Sequence, residues 1–232
     1  MFSFKSFSVL IIASAIIVST VTAQTRREMT PEELYLQQTI ELMIIRESAR
    51  SASRESKQIS LEYIGEAIER GNRSDAIRVE LEYLLQEGTR SVTRENNRVV
   101  NNFPDIRRRA ARFLGQLGTE EAVNTLLGIL DFENEPIVIQ EVIKSLGDIG
   151  INHNDRTILS IVQVARRNDN LNRDSFIALA TIDAFEKIAR IEGALTNTEA
   201  IQLLIRIAEG TYITPIKERA RQLLADLRTF SR

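Results

Sequence analysis

The feature that most constrains this chain is a pattern of side chains that returns at intervals of roughly 30 to 40 residues, the mark of an array of one structural unit. Counted from Pro104, the unit places Ile106, Ala110, Leu114 and Leu117 about one helical turn apart and then Gly118. Pro136 starts the same series with Val138, Val142, Leu146, Ile149 and Gly150. Ser175 starts it with Ile177, Thr181, Phe185 and Ile188, Ala189 standing where the glycine would be, and Thr214 with Ile216, Ala220, Leu224 and Leu227. A second helical stripe follows each of the first three: EAVNTLLGIL from Glu121, the looser RTILSIVQVA from Arg156 and EAIQLLIRIA from Glu199, with DAIRVELEYL from Asp75 as an upstream counterpart. Each unit therefore reads as a helical hairpin.

Local chemistry fits that reading. Pro104 and Pro136 suit a first helical turn, where the missing N–H bonds nothing. Gly118 and Gly150 suit the left-handed residue that ends a helix. Thr119, and Asn154 or Asp155, are placed to cap the second helices, with Glu120 and Glu121 favourable at a helix N-terminus. A hairpin with an apolar stripe on both helices cannot bury both alone, so the units must stack. The fold class expected is all-α: an α-solenoid of stacked helical hairpins, about four repeats plus an N-terminal helix.

The stretch IRRRAARFLGQLGTEEAVNTLLGIL, with its hydrophobe plus arginine, its Leu-Gly turn and its Glu-Ala before a leucine-rich helix, resembles the HEAT-repeat family in its short bacterial, phycobilisome-lyase-like form. The resemblance is strong over 103–227, partial over 61–86, and does not reach 24–56. It implies a right-handed superhelix with the first helices convex and the second helices lining a concave face, and it implies no single activity.

Residues 1–23 read as a signal peptide: Lys5, the apolar run Val9 to Val18, then the small residues before Ala23. The run is short of the roughly 20 residues that span a bilayer, although an uncleaved anchor uses the same features. Residues 24–56 hold a helix opened by Thr30-Pro31-Glu32-Glu33, with the stripe Leu36, Ile40, Met43 and Ile44, and a polar extension over 46–57 that is either a linker or, the reading preferred for its lack of Gly and Pro, a continuation of the helix. The solenoid occupies 57–232. It comprises an atypical first pair over 57–87, an arginine-rich insertion over 88–103 with a short helix expected around Val92 to Val100, repeats over 104–135, 136–174 and 175–213, and a closing helix over 214–232. Glu80 stands where the other second helices have Leu126, Ile161 and Leu204, as an end unit facing solvent would.

Catalytic and metal chemistry find little material. There is no cysteine, and His153 is the single histidine, in a turn; no cofactor is expected. With a formal net charge of −2 the chain has no general nucleic-acid signature. Charge is nevertheless uneven. Arg90, Arg94, Arg98, Arg107, Arg108, Arg109 and Arg112 crowd one stretch, and Glu120, Glu121, Asp131, Glu133, Glu135 and Glu141 follow without a base.

Two binding surfaces follow from this distribution. One is the arginine-rich edge, with Arg90, Arg94, Arg98, Arg108, Arg109 and Arg112 facing an anionic partner, while Arg107 pairs with a neighbouring repeat. The other is a groove on the second helices, with Arg78 and Glu82, Asn124 and Gly128, Gln163 and Arg167, and Gln202 and Arg206. The expected function is an exported, non-catalytic scaffold, most simply periplasmic, binding another envelope or secreted protein of acidic character, without nucleic acid or membrane insertion after signal cleavage. A structural subunit of a larger periplasmic assembly is the alternative, and a lyase-like enzyme a more distant one. Because Leu146 is placed at the centre of the stack, Leu146→Ala should cost about 2–5 kcal/mol; an unchanged urea midpoint would remove it from the core.

Overall fold

A computed structural model describes residues 30–171 and 173–230. The signal peptide expected over 1–23 lies outside the described residues. Two compact units are distinguished, Met1–Leu36 and Gln37–Arg232. In the first, Thr30 and Glu33 form a reciprocal capping box at the start of α1 (Pro31–Arg50), the Thr30 amide donating to Glu33 Oε2 at 2.9 Å and the Glu33 amide to Thr30 Oγ1 at 3.2 Å. Leu34 and Leu36 are exposed there. Among the described residues no helix is long and apolar enough to cross a membrane.

In the second unit, α1 continues to Arg50 and the chain breaks over 51–53 before α2 (Arg54–Glu69), whose N-terminus Ser53 caps by accepting from the Ser56 amide. The helix expected to run unbroken through 46–57 is thus two helices meeting at a serine-rich bend, because Ser51 and Ser53 turn their hydroxyls onto local backbone. Then follow α3 (Asp75–Gln86), two short strands β1 (Arg94–Glu95) and β2 (Arg98–Val99), α4 (Pro104–Leu117) and α5 (Glu120–Leu130). After α6 (Pro136–Ile149) come a 3-10 turn (His153–Asp155), α7 (Arg156–Leu171), α8 (Ser175–Glu192), α9 (Thr198–Glu209) and α10 (Thr214–Phe230). The unit is an all-α solenoid of stacked hairpins. Its core is one continuous cluster running from Ile45 to Leu223, with Leu146 fully buried.

Helix ends follow the residues that make them. Gly118 and Gly150 adopt φ of 69° and 74°, and their amides return to Leu114 and Leu146. Thr119 accepts from the Ala122 amide at the start of α5. Two expectations change. α8 runs past Ala189 and ends at Gly193, at φ 80°, so the missing glycine is displaced by one turn. Asn152, not Asn154 or Asp155, serves α7, its Oδ1 accepting from the Ile158 amide, because Asn154 and Asp155 are both held at positive φ in the preceding turn.

The first helices α4, α6 and α8 stack with their backbones close together. A Cβ on Gly115 would lie 2.7 Å from Ser145 Cβ, and one on Gly147 would lie 2.6 Å from Ala184 Cα. The second helices are instead bridged by long side chains: Arg156 donates to Asn124 at 2.6 Å, and Arg167 to the carbonyls of Leu130 and Glu133 at 2.9 and 3.0 Å.

Buried carboxylates in this unit are met by arginines from neighbouring elements. Glu80, expected to face solvent, is only 2% exposed, because α1 covers it and supplies Arg46 at 3.1 Å and Arg50 at 3.4 Å. Ile45 and Ala49 of α1 enter the core, and Ser60 and Lys57 of α2 donate to their carbonyls. Between α7 and α9, Asp169 of α7 accepts from Arg173 at 2.6 Å and from the Tyr212 hydroxyl at 2.9 Å, with Arg206 of α9 at 2.9 Å. Burial alone would raise the Asp169 carboxyl, but the bonds from Arg173 and Tyr212 and the charges of Arg173 and Arg206 outweigh it and hold it below the usual carboxylate range. Burial, then the bond to Asp169, pushes the Tyr212 phenol up to about 12.

A depressed carboxylate contributes stability above its ordinary pKa of about 3.9, and that contribution is lost as pH falls through the lower folded value. Asp169→Asn should therefore lower the urea midpoint at pH 7 and flatten its decline below about pH 4. Parallel wild-type and variant midpoints across pH 7 to 3 would refute the latch.

Candidate protein-interaction surface

The connection between α3 and α4 is the irregular part of the stack. Gln86 O accepts from the amides of Arg90 and Ser91, Gly88 turns at φ 74°, and Asn101 fastens the return by accepting from the Thr93 amide and donating to Ser91 O. Between these ties the chain forms a small antiparallel finger, Arg94 opposite Val99 and Glu95 opposite Arg98. The short helix expected around Val92 to Val100 is therefore a hairpin. Asn96 and Asn97 sit at φ 47° and 63°, the left-handed pair of a tight hairpin turn, which interrupts any helix.

One buried side chain anchors the finger. Arg107 clamps Glu133 through Nε at 2.7 Å and Nη2 at 3.2 Å, while Nη1 donates to Glu87 O at 3.2 Å and Asn102 Oδ1 at 2.7 Å. Arg107 and Glu133 are both about fully buried, and Glu133 also accepts the amides of Asn134 and Glu135. Beside them Lys57 lies 2.8 Å from Glu87, also buried. Each of these four charged side chains is closed off from solvent.

The remaining arginines separate into two groups. Arg112 binds Glu141 of α6 through two bonds of 3.0 and 3.1 Å, and Arg108 approaches the same carboxylate at 3.8 Å. They bridge first helices. Arg109, half-buried on α4, has no ion-pair partner among the described residues. Arg90 lies over the Phe132 ring, 5.0 Å from its centroid, and Arg94 donates only to Asn97 O. Arg90, Arg94 and Arg98 have no carboxylate partner among the described residues.

Of the groove positions, the structure brings Arg78, Glu82 and Asn124 together with Arg90 around a cleft of about 270 Å³ between α3 and α5. Its polar groups are largely spent on one another. Arg78 donates to Asp75 at 2.7 Å and Glu82 at 2.9 Å, Gln86 donates to Glu82, and Asn124 accepts from Arg156. The bond to Asp75 and then that to Glu82 raise the Arg78 guanidinium against the opposing cost of burial. Gln163 and Gln202 are exposed on α7 and α9, away from this cleft. Arg167 is taken up by carbonyls of the α5–α6 corner, and Arg206 by Asn170 and Asp169. His153 is exposed in its turn, and among the described residues no group of His, Asp and Glu could hold a metal ion.

Sequence reasoning missed the apolar side chains beside the unpaired arginines. Val92, Val99, Val100, Phe132 and Ile137 are all exposed. They carry no repeat signature, which is why periodicity passes over them.

Stacked antiparallel hairpins around one continuous core define the chain as an α-solenoid. Residues 98–180 match the HEAT repeats family. The fold is similar to that of a chain in the complex of CpcE and CpcF of phycocyanin lyase from Nostoc sp., with a TM-score of 0.56 and 17% identity over 91% of this chain and 70% of that one. No curated protein matches the sequence.

Breaking a buried pair strands a charge, so Arg107→Ala should cost about 3–5 kcal/mol. Arg112→Ala, with its guanidinium half-exposed, should cost less than about 1 kcal/mol. Equal losses in denaturant melts would contradict this division.

Proposed function

We propose that the chain is an exported, non-catalytic HEAT-repeat scaffold that binds another protein of the bacterial cell envelope, its leader removed after Ala23 and the remainder periplasmic. The observation that carries the reading is the exposed finger and its root, where Arg90, Arg94 and Arg98 stand without carboxylate partners while almost every other arginine of the stretch is engaged within the fold. Guanidinium forks in this state suit carboxylates of a second protein. The leader-like features of residues 1–23 support export, and the absence of cysteine is compatible with any redox compartment.

The reading as a subunit of a larger assembly draws on Ile40 and Met43 of α1, which lie exposed on the helix whose later turns cap the stack. The lyase-like reading draws on fold likeness alone, and the buried Lys57–Glu87 pair lies in no described cleft.

A photoreactive residue placed at Val99, at Gln202 or at Ile191 in the full chain, expressed in its native cells, tests the scaffold. A protein adduct at Val99 that disappears when Arg90, Arg94 and Arg98 become Gln is the expected result. Adducts at Gln202 alone would move binding to the second helices and overturn the finger; no protein adduct at any position would overturn the scaffold.

A further inference from the structure

Every connection from a second helix to the next first helix leaves the stack on one edge, and every connection within a hairpin leaves on the other. At the connections before α4 and α6, Val92, Val99, Val100, Phe132 and Ile137 are exposed large hydrophobic side chains. Scattered exposed hydrophobic residues are ordinary on a protein surface, but five on two connections that Arg107 ties together are not.

Charge singles out one part of that edge. Arg94 and Val99 are opposite each other in the finger, so their side chains emerge together on one face. Glu95 and Arg98 emerge on the other face, where their charges balance. Arg90, at the root of the finger, stacks on Phe132, and Phe132 remains 50% exposed with Ile137 just beyond the same corner. The Arg107 clamp joins the finger's return at Asn102 to the corner at Glu133, which makes these side chains neighbours on a fixed base.

We propose that this corner docks an acidic segment of a partner protein that also carries large apolar side chains, the carboxylates meeting Arg90 and Arg94 and the apolar groups covering Val99, Phe132 and Ile137. This rests on the scaffold reading and adds the chemistry of the partner. Arg94 on the finger and Arg90 at its root, without carboxylate partners among the described residues, attract any polyanion, but such attraction is weak at physiological salt, where charges are screened beyond about 8 Å. The apolar neighbours add a contribution that salt does not screen, and they select against anions without apolar groups. In the α3–α5 cleft, which Arg90 also lines, Arg78 is already held between Asp75 and Glu82.

The test is fluorescence anisotropy of the chain from Gln24 onward with labelled peptides at 0.15 M salt. One peptide alternates Glu with Leu and Phe; its controls replace every Glu by Gln, or every Leu and Phe by Ser. The first should bind at least about tenfold tighter than either control, as expected when charge and apolar contact act together. Arg90→Gln with Arg94→Gln, and separately Val99→Ser with Phe132→Ser and Ile137→Ser, should each weaken it by about tenfold, with helical circular dichroism unchanged.

Equal binding of a control, insensitivity to either set of substitutions, tighter capture by vesicles rich in phosphatidylglycerol, or no binding would each overturn the proposal. Failure here together with a cellular adduct at Val99 would remove only the acidic–apolar chemistry. Peptide binding without any cellular adduct would remove the scaffold role instead.

Discussion

The guanidinium of Arg107 makes contacts that the repeat pattern does not require. A stacked array needs only that each hairpin cover the next, and its leucines and valines see to that. Arg107 does something else: it joins the end of α3, the return of the finger and the corner between α5 and α6 through one planar group whose three nitrogens all donate. Burying that charge is tolerable because Glu133 meets it with both oxygens and is itself held by two amides. Without this joint, an irregular excursion over 88–103 would hang from the stack by its ends.

The same economy governs the other charges. Glu80 occupies a position that is leucine in other units, and the chain accommodates it by laying α1 across the first hairpin so that Arg46 and Arg50 reach it. Asp169 plays a corresponding part between α7 and α9 with Arg173, Arg206 and Tyr212. Between α4, α6 and α8 close packing relies on glycine and small residues, with ion pairs such as Arg112–Glu141 added along their flanks.

That contrast also marks what could be read from the residues. The hairpins, the left-handed glycines at 118 and 150 and the buried Leu146 are local or periodic, and the sequence displays them directly; Arg107, expected to pair with a neighbouring repeat, instead pairs with Glu133 at the end of its own, because the α5–α6 corner folds back over the start of α4. The burial of Glu80 was not legible, because it depends on residues far away along the chain. The finger was half legible: Asn96-Asn97 is a turn signal, but Arg94, Glu95, Arg98 and Val99 lack the alternation that would have announced strands. The surface arginines looked alike in one dimension. Only the approach of α6 shows that Arg108 and Arg112 already have Glu141, whereas Arg90, Arg94 and Arg98 have no such counterpart.

At the base of the finger a Cβ on Gly88 would lie 2.7 Å from the carbonyl oxygen of Asn101, so the chain leaves and re-enters the stack at almost one point. An excursion closed so tightly can change the length or sequence of its tip at a cost that grows only slowly with the number of residues, leaving the packing of the leucines untouched. What the tip of the finger presents to a partner can therefore change without repacking the stack beneath it.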